Sequence, residues 1–109
     1  MNAVIAGPDE DDLAGALETE GFDVTRIDDV PTRPALETAG ITDAELFVLT
    51  DSTHATAVPI ARDIADDLEI VYYTTDSLPE FVSGQLDFAV DPRLVSATVV
   101  AEELANGLE

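Results

Sequence analysis

Asn2-Ala3-Val4-Ile5-Ala6-Gly7-Pro8-Asp9-Glu10-Asp11-Asp12 opens on an apolar run and turns abruptly to acid. Ala3 to Ala6 have no polar alternation, which suits a parallel strand buried on both faces. Gly7 and Pro8 punctuate the chain. Leu13, Ala16 and Leu17 then recur at helical spacing, and Gly21 closes the helix. The first unit therefore reads as strand, tight turn and helix.

The same alternation continues to the end of the chain. Phe22 to Ile27 reads as a second strand, with Phe22, Val24 and Ile27 inward, and Pro31 to Pro34 break the chain. Ala35 to Thr38 make a short helix closed by Gly40. Leu46 to Leu49 form the clearest strand, ending at Thr50-Asp51. A helix follows from Ser52 or Thr53 to Asp67. Pro59 falls inside it, so this helix is either kinked or starts later. Ile70 to Tyr73 and Phe88 to Val90 supply the fourth and fifth strands. A helical turn over Leu78 to Gly84 lies between them, and Leu94 to Leu104 make the closing helix. Strands joined by helical crossovers give a parallel sheet covered on both faces. The expected fold is one doubly wound, Rossmann-like α/β domain over residues 1–109, with five parallel strands in the order 2-1-3-4-5.

Composition narrows the setting. The chain has 24 acidic residues against four basic ones, for a formal net charge of −20. All four basic residues are arginines, and lysine is absent. The acids are scattered between apolar positions, as on the outer faces of ordinary elements. At molar salt the Debye length falls to about 3 Å and their mutual repulsion is largely screened. This is the surface expected of a cytoplasmic protein in a salt-accumulating halophile. Nucleic-acid binding is not expected, because a phosphate backbone needs clustered Lys and Arg. The absence of cysteine excludes disulfides and thiolate catalysis. No apolar stretch approaches the ~20 residues of a membrane span.

The stretch Ala35-Leu-Glu-Thr-Ala-Gly-Ile-Thr-Asp-Ala-Glu-Leu-Phe-Val-Leu-Thr-Asp-Ser52 resembles the nucleotide-binding domain of potassium-transport regulators, the RCK or TrkA N-terminal family. Gly21 to Val24, Asp28 and Phe88 to Pro92 extend the resemblance. It implies a nucleotide site for NAD or an adenine nucleotide at the carboxyl ends of the strands, where open parallel sheets bind ligands. The lining residues would be Gly7, Asp9, Asp12, Asp28, Thr50, Asp51, Ser52 and Thr74, with Asp28 on the ribose hydroxyls. The chain departs from that family in two places. The short strand usually found before the Leu-x-x-Ala-Gly helix has no room between Val30 and Pro34. Asp9 and Asp12 also stand where a dinucleotide turn carries glycine, and a side chain at Asp9 would block close backbone approach to a pyrophosphate. Asp9 to Asp12 read equally as helix caps.

A response-regulator receiver has the same strand order. It needs acids after the first strand, a phospho-accepting aspartate after the third and a hydroxyl after the fourth. Asp9 or Glu10, Asp51, and Thr74 or Thr75 fill those places. The receiver's lysine after the fifth strand is replaced by Val90-Asp91-Pro92-Arg93. His54, the one histidine, reads as a surface residue. No metal site and no catalytic set emerge from the spacing. CTP synthetase chemistry needs a glutaminase cysteine and an ATP-binding loop, and the chain has neither. The main expectation is a non-catalytic regulatory or adaptor module of RCK type that could retain weak nucleotide binding. The alternatives are a nucleotide or NAD binder with a degenerate loop, and a receiver-like phospho-switch. Partners would be protein, including a second copy.

Overall fold

The two most apolar runs take the middle of the sheet. β1 (Asn2–Ala6) and β3 (Leu46–Leu49) pair in parallel, from Ala3 opposite Leu46 to Ala6 opposite Leu49. β2 (Asp23–Ile27) flanks β1, and β4 (Glu69–Tyr73) flanks β3. β5 (Phe88–Val90) pairs with β4 at the far edge. The sheet is thus five-stranded and wholly parallel, in the order 2-1-3-4-5. The computed structural model describes residues 1–77, 79–82 and 84–108.

Strand alternation sorts the core into two layers. Val4, Ala6, Phe47, Leu49, Ile70 and Tyr72 belong to one, with Leu36 of α2 (Arg33–Thr38) and Val58 and Ala61 of α3 (Ala57–Ile64). Ala3, Ile5, Leu46, Val48, Val71 and Tyr73 belong to the other. They pack with Leu13 and Leu17 of α1 (Leu13–Thr19) and with Val100 and Leu104 of α4 (Ala97–Leu108). Each fully buried large apolar side chain contributes about 1.5–3 kcal/mol. Among the described residues no polar or charged residue is buried. The acids therefore occupy the outer shell only, and the charge is carried outside an apolar interior.

Several boundaries differ from the sequence reading, and the later start of α3 is one of the two outcomes that Pro59 leaves open. After β3 the chain forms a 3-10 turn, Ser52–His54, and α3 begins only at Ala57. Pro59 then lies in the helix's first turn, where its missing N–H has no partner to lose. α4 starts at Ala97 rather than Leu94, because Ser96 accepts from the Val99 N–H at 3.3 Å and sets the helix start there. Between β4 and β5 the described helical structure is the 3-10 turn Glu80–Val82; Leu78 and Ser83 of the expected turn lie outside the described residues. None of the described helices is long and apolar enough to cross a membrane.

Candidate functional site

The carboxyl ends of β1, β3 and β4 meet at one rim. Gly7 follows β1 with φ 107°, a conformation that a side chain rarely adopts. A Cβ there would collide with Thr50 Oγ1 and lie 3.2 Å from Asp51 Cβ. Gly7 is glycine because the tip of β3 packs against it. The space a pyrophosphate would need beside its backbone is taken by Thr50 and Asp51.

The acids after Gly7 hold the start of α1. Asp9 Oδ1 accepts from the Leu13 N–H at 2.7 Å, and Asp9 Oδ2 from the Ala14 N–H at 3.0 Å. Asp12 is the N-cap, in left-handed backbone at φ 55°, and its Oδ1 accepts from the Gly15 N–H at 3.3 Å. These contacts satisfy N–H groups that a helix start leaves without partners, and they place negative charge at the positive end of its dipole.

Thr50 divides the rim. Its hydroxyl donates to the Pro8 carbonyl at 2.6 Å, and its backbone N–H donates to the Ala6 carbonyl at 3.0 Å. On one side lies a hollow of about 250 Å³ that includes Asp9, Glu10, Thr50, Thr74, Thr75 and Arg93 in its lining. On the other lies a hollow of about 220 Å³ that includes Gly7, Arg26, Asp28, Asp51 and His54. The eight residues singled out in the sequence are therefore split. Asp9, Thr50 and Thr74 share the first hollow, and Gly7, Asp28 and Asp51 share the second. Asp12 lines neither, and nor does Ser52.

Asp51 is half-buried, and its Oδ1 accepts from the Thr53 N–H at 2.9 Å. That backbone hydrogen bond is the main reason its carboxyl titrates below the ordinary range. The Thr53 side chain and nearby His54 act in the same direction, and partial burial opposes them. Ser52 donates its hydroxyl to Asp76 Oδ2 at 2.9 Å, and Thr74 Oγ1 accepts from the Asp76 N–H at 3.2 Å. The loops after β3 and β4 are tied through Asp76.

Arg93, where a receiver has lysine, is clamped on Asp91. Its Nε and a terminal nitrogen both reach Asp91 Oδ2, at 3.2 and 2.7 Å. The pairing holds Asp91 below its usual pKa and Arg93 above its own. Asp28 is solvent-facing and lies 3.5 Å from Arg26, whose guanidinium also donates to the Gly7 carbonyl at 2.9 Å. Arg26 was not singled out in the sequence. Its rarity, as one of four arginines placed near a strand end, was the available signal. His54, read as a surface residue, is half-buried and lines the Asp51 hollow. Among the described residues no group of three or more His, Asp or Glu side chains is placed to hold a metal ion.

A wholly parallel, doubly wound sheet in the order 2-1-3-4-5 is the flavodoxin-like class of α/β fold. The chain belongs to a family of unknown function, DUF7126, which it matches over residues 3–104. No curated protein matches it in sequence. Among solved structures it resembles an orphan response regulator of H. pylori, with a TM-score of 0.77 and 10% identity over 100% of this chain and 97% of that one. It also resembles a putative pilus assembly protein, CpaE, of Burkholderia thailandensis, with a TM-score of 0.69 and 13% identity over 99% and 98% of the two chains. A third is a Burkholderia pseudomallei response regulator with a phosphorylated aspartic acid, a calcium ion and citrate. Its TM-score is 0.62, at 18% identity over 98% of this chain and 72% of that one.

These likenesses overturn the RCK and TrkA-N resemblance and the nucleotide-binding role taken from it. The run from Ala35 to Ser52 has a local explanation. Leu36 and Ile41 are buried, Gly40 takes φ 86° between them, and a 3-10 turn over Ile41–Asp43 leads into β3. Helices commonly end on such a left-handed glycine, so the pattern can arise without a shared family. Asp28, expected on the ribose hydroxyls, is exposed and lies 3.5 Å from Arg26.

Proposed function

We propose that residues 1–109 act as a non-catalytic regulatory module of receiver type, with Asp51 as its phosphoryl-accepting carboxylate. The observation that carries this reading is the setting of Asp51. It stands just past the tip of a central strand, ionised, half-exposed, and fixed through one oxygen by the Thr53 N–H. The neighbour from B. pseudomallei carries a phosphorylated aspartic acid on the same type of fold.

The reaction would be attack of an Asp51 carboxylate oxygen on the phosphorus of an acyl phosphate. A new P–O bond forms, and the donor leaves as a carboxylate. The added charge would fall beside Ser52, whose tie to Asp76 and thence to Thr74 offers a route from β3 to the β4 loop. Arg26 is the guanidinium that lines the Asp51 hollow, whereas Arg93, at the position of the receiver's lysine, lies on the far side of Thr50 and is held by Asp91.

Among the described residues no three acids stand together as a divalent cation would need. Both Asp9 oxygens accept helix N–H groups. A protein that works by changing state needs a protein partner to read it, and a halophile cytoplasm fits the acidic surface.

The test is acetyl phosphate in molar KCl, with and without magnesium, followed by intact mass and by amide NMR. Phosphorylation at one site is expected, lost in Asp51→Asn, with amide shifts at Ser52, Thr53, Thr74 and Asp76. An unmodified protein, or modification that persists in Asp51→Asn, would overturn the role of Asp51.

A further inference from the structure

Three of the four arginines are committed to acids by close contacts. Arg33 reaches Asp63 at 3.0 Å, and Arg93 reaches Asp91 at 2.7 Å. Arg62 reaches Asp87 at 3.2 Å and also donates to the carbonyls of Asp66, Leu68 and Gln85. Arg26 differs. Its acid, Asp28, stands at 3.5 Å on an exposed side chain. A charge-assisted hydrogen bond is shorter, at about 2.7–2.9 Å. Among the described residues the one hydrogen bond of Arg26 goes to the Gly7 carbonyl, at 2.9 Å.

Arg26 lies one residue before the end of β2, opposite Ile5 of β1. From there its side chain reaches across the strand tips to Gly7, and Gly7 packs against Asp51. Arg26, Asp51 and His54 therefore line one hollow of about 220 Å³. Among the described residues Arg26 and Asp51 form no ion pair, so none has to break before the carboxylate reacts.

From this arrangement we infer that Arg26 binds the phosphoryl group of an acyl phosphate as it is delivered to Asp51, in the hollow on the β2 side of Thr50. The inference rests on the reading of Asp51 as the acceptor. A planar guanidinium fork meets two phosphoryl oxygens at once. An Asp51 oxygen bonds to phosphorus, the bond from phosphorus to the acyl oxygen breaks, and the carboxylate leaves with that electron pair. Arg26 offsets the charge that stays behind. Asp28 and Asp29 line the same hollow and oppose an anion there. Both are exposed, and molar salt screens exposed charges far more than a partly buried contact.

Two measurements in molar KCl test this. The first is the rate of phosphorylation against acetyl phosphate concentration, followed by intact mass. Arg26→Gln should slow it by about tenfold or more at low acetyl phosphate, the scale of losing one charged contact, mainly by raising the half-saturating concentration. Arg26→Lys should recover part of the loss, since it keeps the charge without the fork. Asp28→Asn should quicken the reaction by releasing Arg26, and Arg93→Gln should leave it unchanged. A wild-type rate in Arg26→Gln, a slower rate in Asp28→Asn, or an equal loss in Arg93→Gln would overturn the inference. The second measurement titrates Asp51→Asn with acetyl phosphate and reads amide NMR. Saturable shifts are expected at Gly7, Asp28 and His54, and Arg26→Gln added to that variant should abolish them. Their absence from Asp51→Asn overturns the Arg26 contact, even where Arg26→Gln does not fold. Shifts that appear while the wild type is never phosphorylated sustain the contact and overturn only the role of Asp51.

Discussion

Asp9 follows β1 and Asp51 follows β3, and the two carboxylates meet one rim from adjacent strands. Asp9 takes two backbone N–H groups of α1, at 2.7 and 3.0 Å. Asp51 takes one, from Thr53, in the shallow hollow beside His54 and Arg26. Both carboxylates cap a following turn, but Asp9 spends both oxygens on a helix and Asp51 only one on a 3-10 turn, which leaves its second oxygen for the proposed role. The difference follows from what comes next in the chain. A helix begins within reach of Asp9, and its free N–H groups claim both oxygens. After Asp51 the chain makes only a 3-10 turn, and α3 starts at Ala57.

Gly7 lies between the two carboxylates, and changing it should have the largest effect. Gly7→Ala forces a side chain into φ 107° and against Thr50 Oγ1 and Asp51. Backbone strain and overpacking together should cost ~2–4 kcal/mol, read as a lower denaturant midpoint in molar KCl. A variant of near wild-type stability would mean that the β1 loop is free to move away from β3. The separation of the two hollows at Thr50 would then not be a fixed feature.

Asp9→Ala should come next. It leaves two N–H groups at the start of α1 without their acceptor, at a cost of about 1–2 kcal/mol. Hydrogen exchange should quicken at Leu13 and Ala14 while the β3 amides stay protected. Equal loosening at Ser52 and Thr53 would show that the two aspartates act as one unit.

The sheet was readable because its signal is redundant. Ala3 to Ala6 and Leu46 to Leu49 are unbroken apolar runs, and each crossover between strands carries glycine, proline or capping residues. Burial and turn chemistry point to the same fold. The site was less readable, since strand parity sends neighbours in sequence to different places. Thr50 and Asp51 are adjacent, yet Thr50 lines the Asp9 hollow and Asp51 the Arg26 hollow. Nor does a sequence say which acid a helix end will claim, or that Arg93 turns back onto Asp91. The Leu-x-x-Ala-Gly-Ile run misled for a related reason. A glycine helix stop followed by a buried strand is a common local arrangement, and unrelated proteins share it.

Asp51→Asn should have the smallest effect on stability, within about 0.5 kcal/mol near neutral pH, since the group is a partly exposed acceptor away from the core. Its sign with pH is fixed by the lowered folded-state titration. The ionised carboxylate favours the folded chain, so its contribution is fully present above the unfolded carboxylate range. It is lost as pH falls through the lower folded value. The wild type and Asp51→Asn should therefore differ slightly at pH 6 and converge in acid, measured as thermal midpoints at constant KCl. A gap that widens as pH falls would mean that the folded state raises the Asp51 pKa. Asp51 would then be mostly protonated in mild acid, and a protonated carboxyl is a poor nucleophile. That outcome would weaken the contrast with Asp9 at the point where the proposed chemistry depends on it.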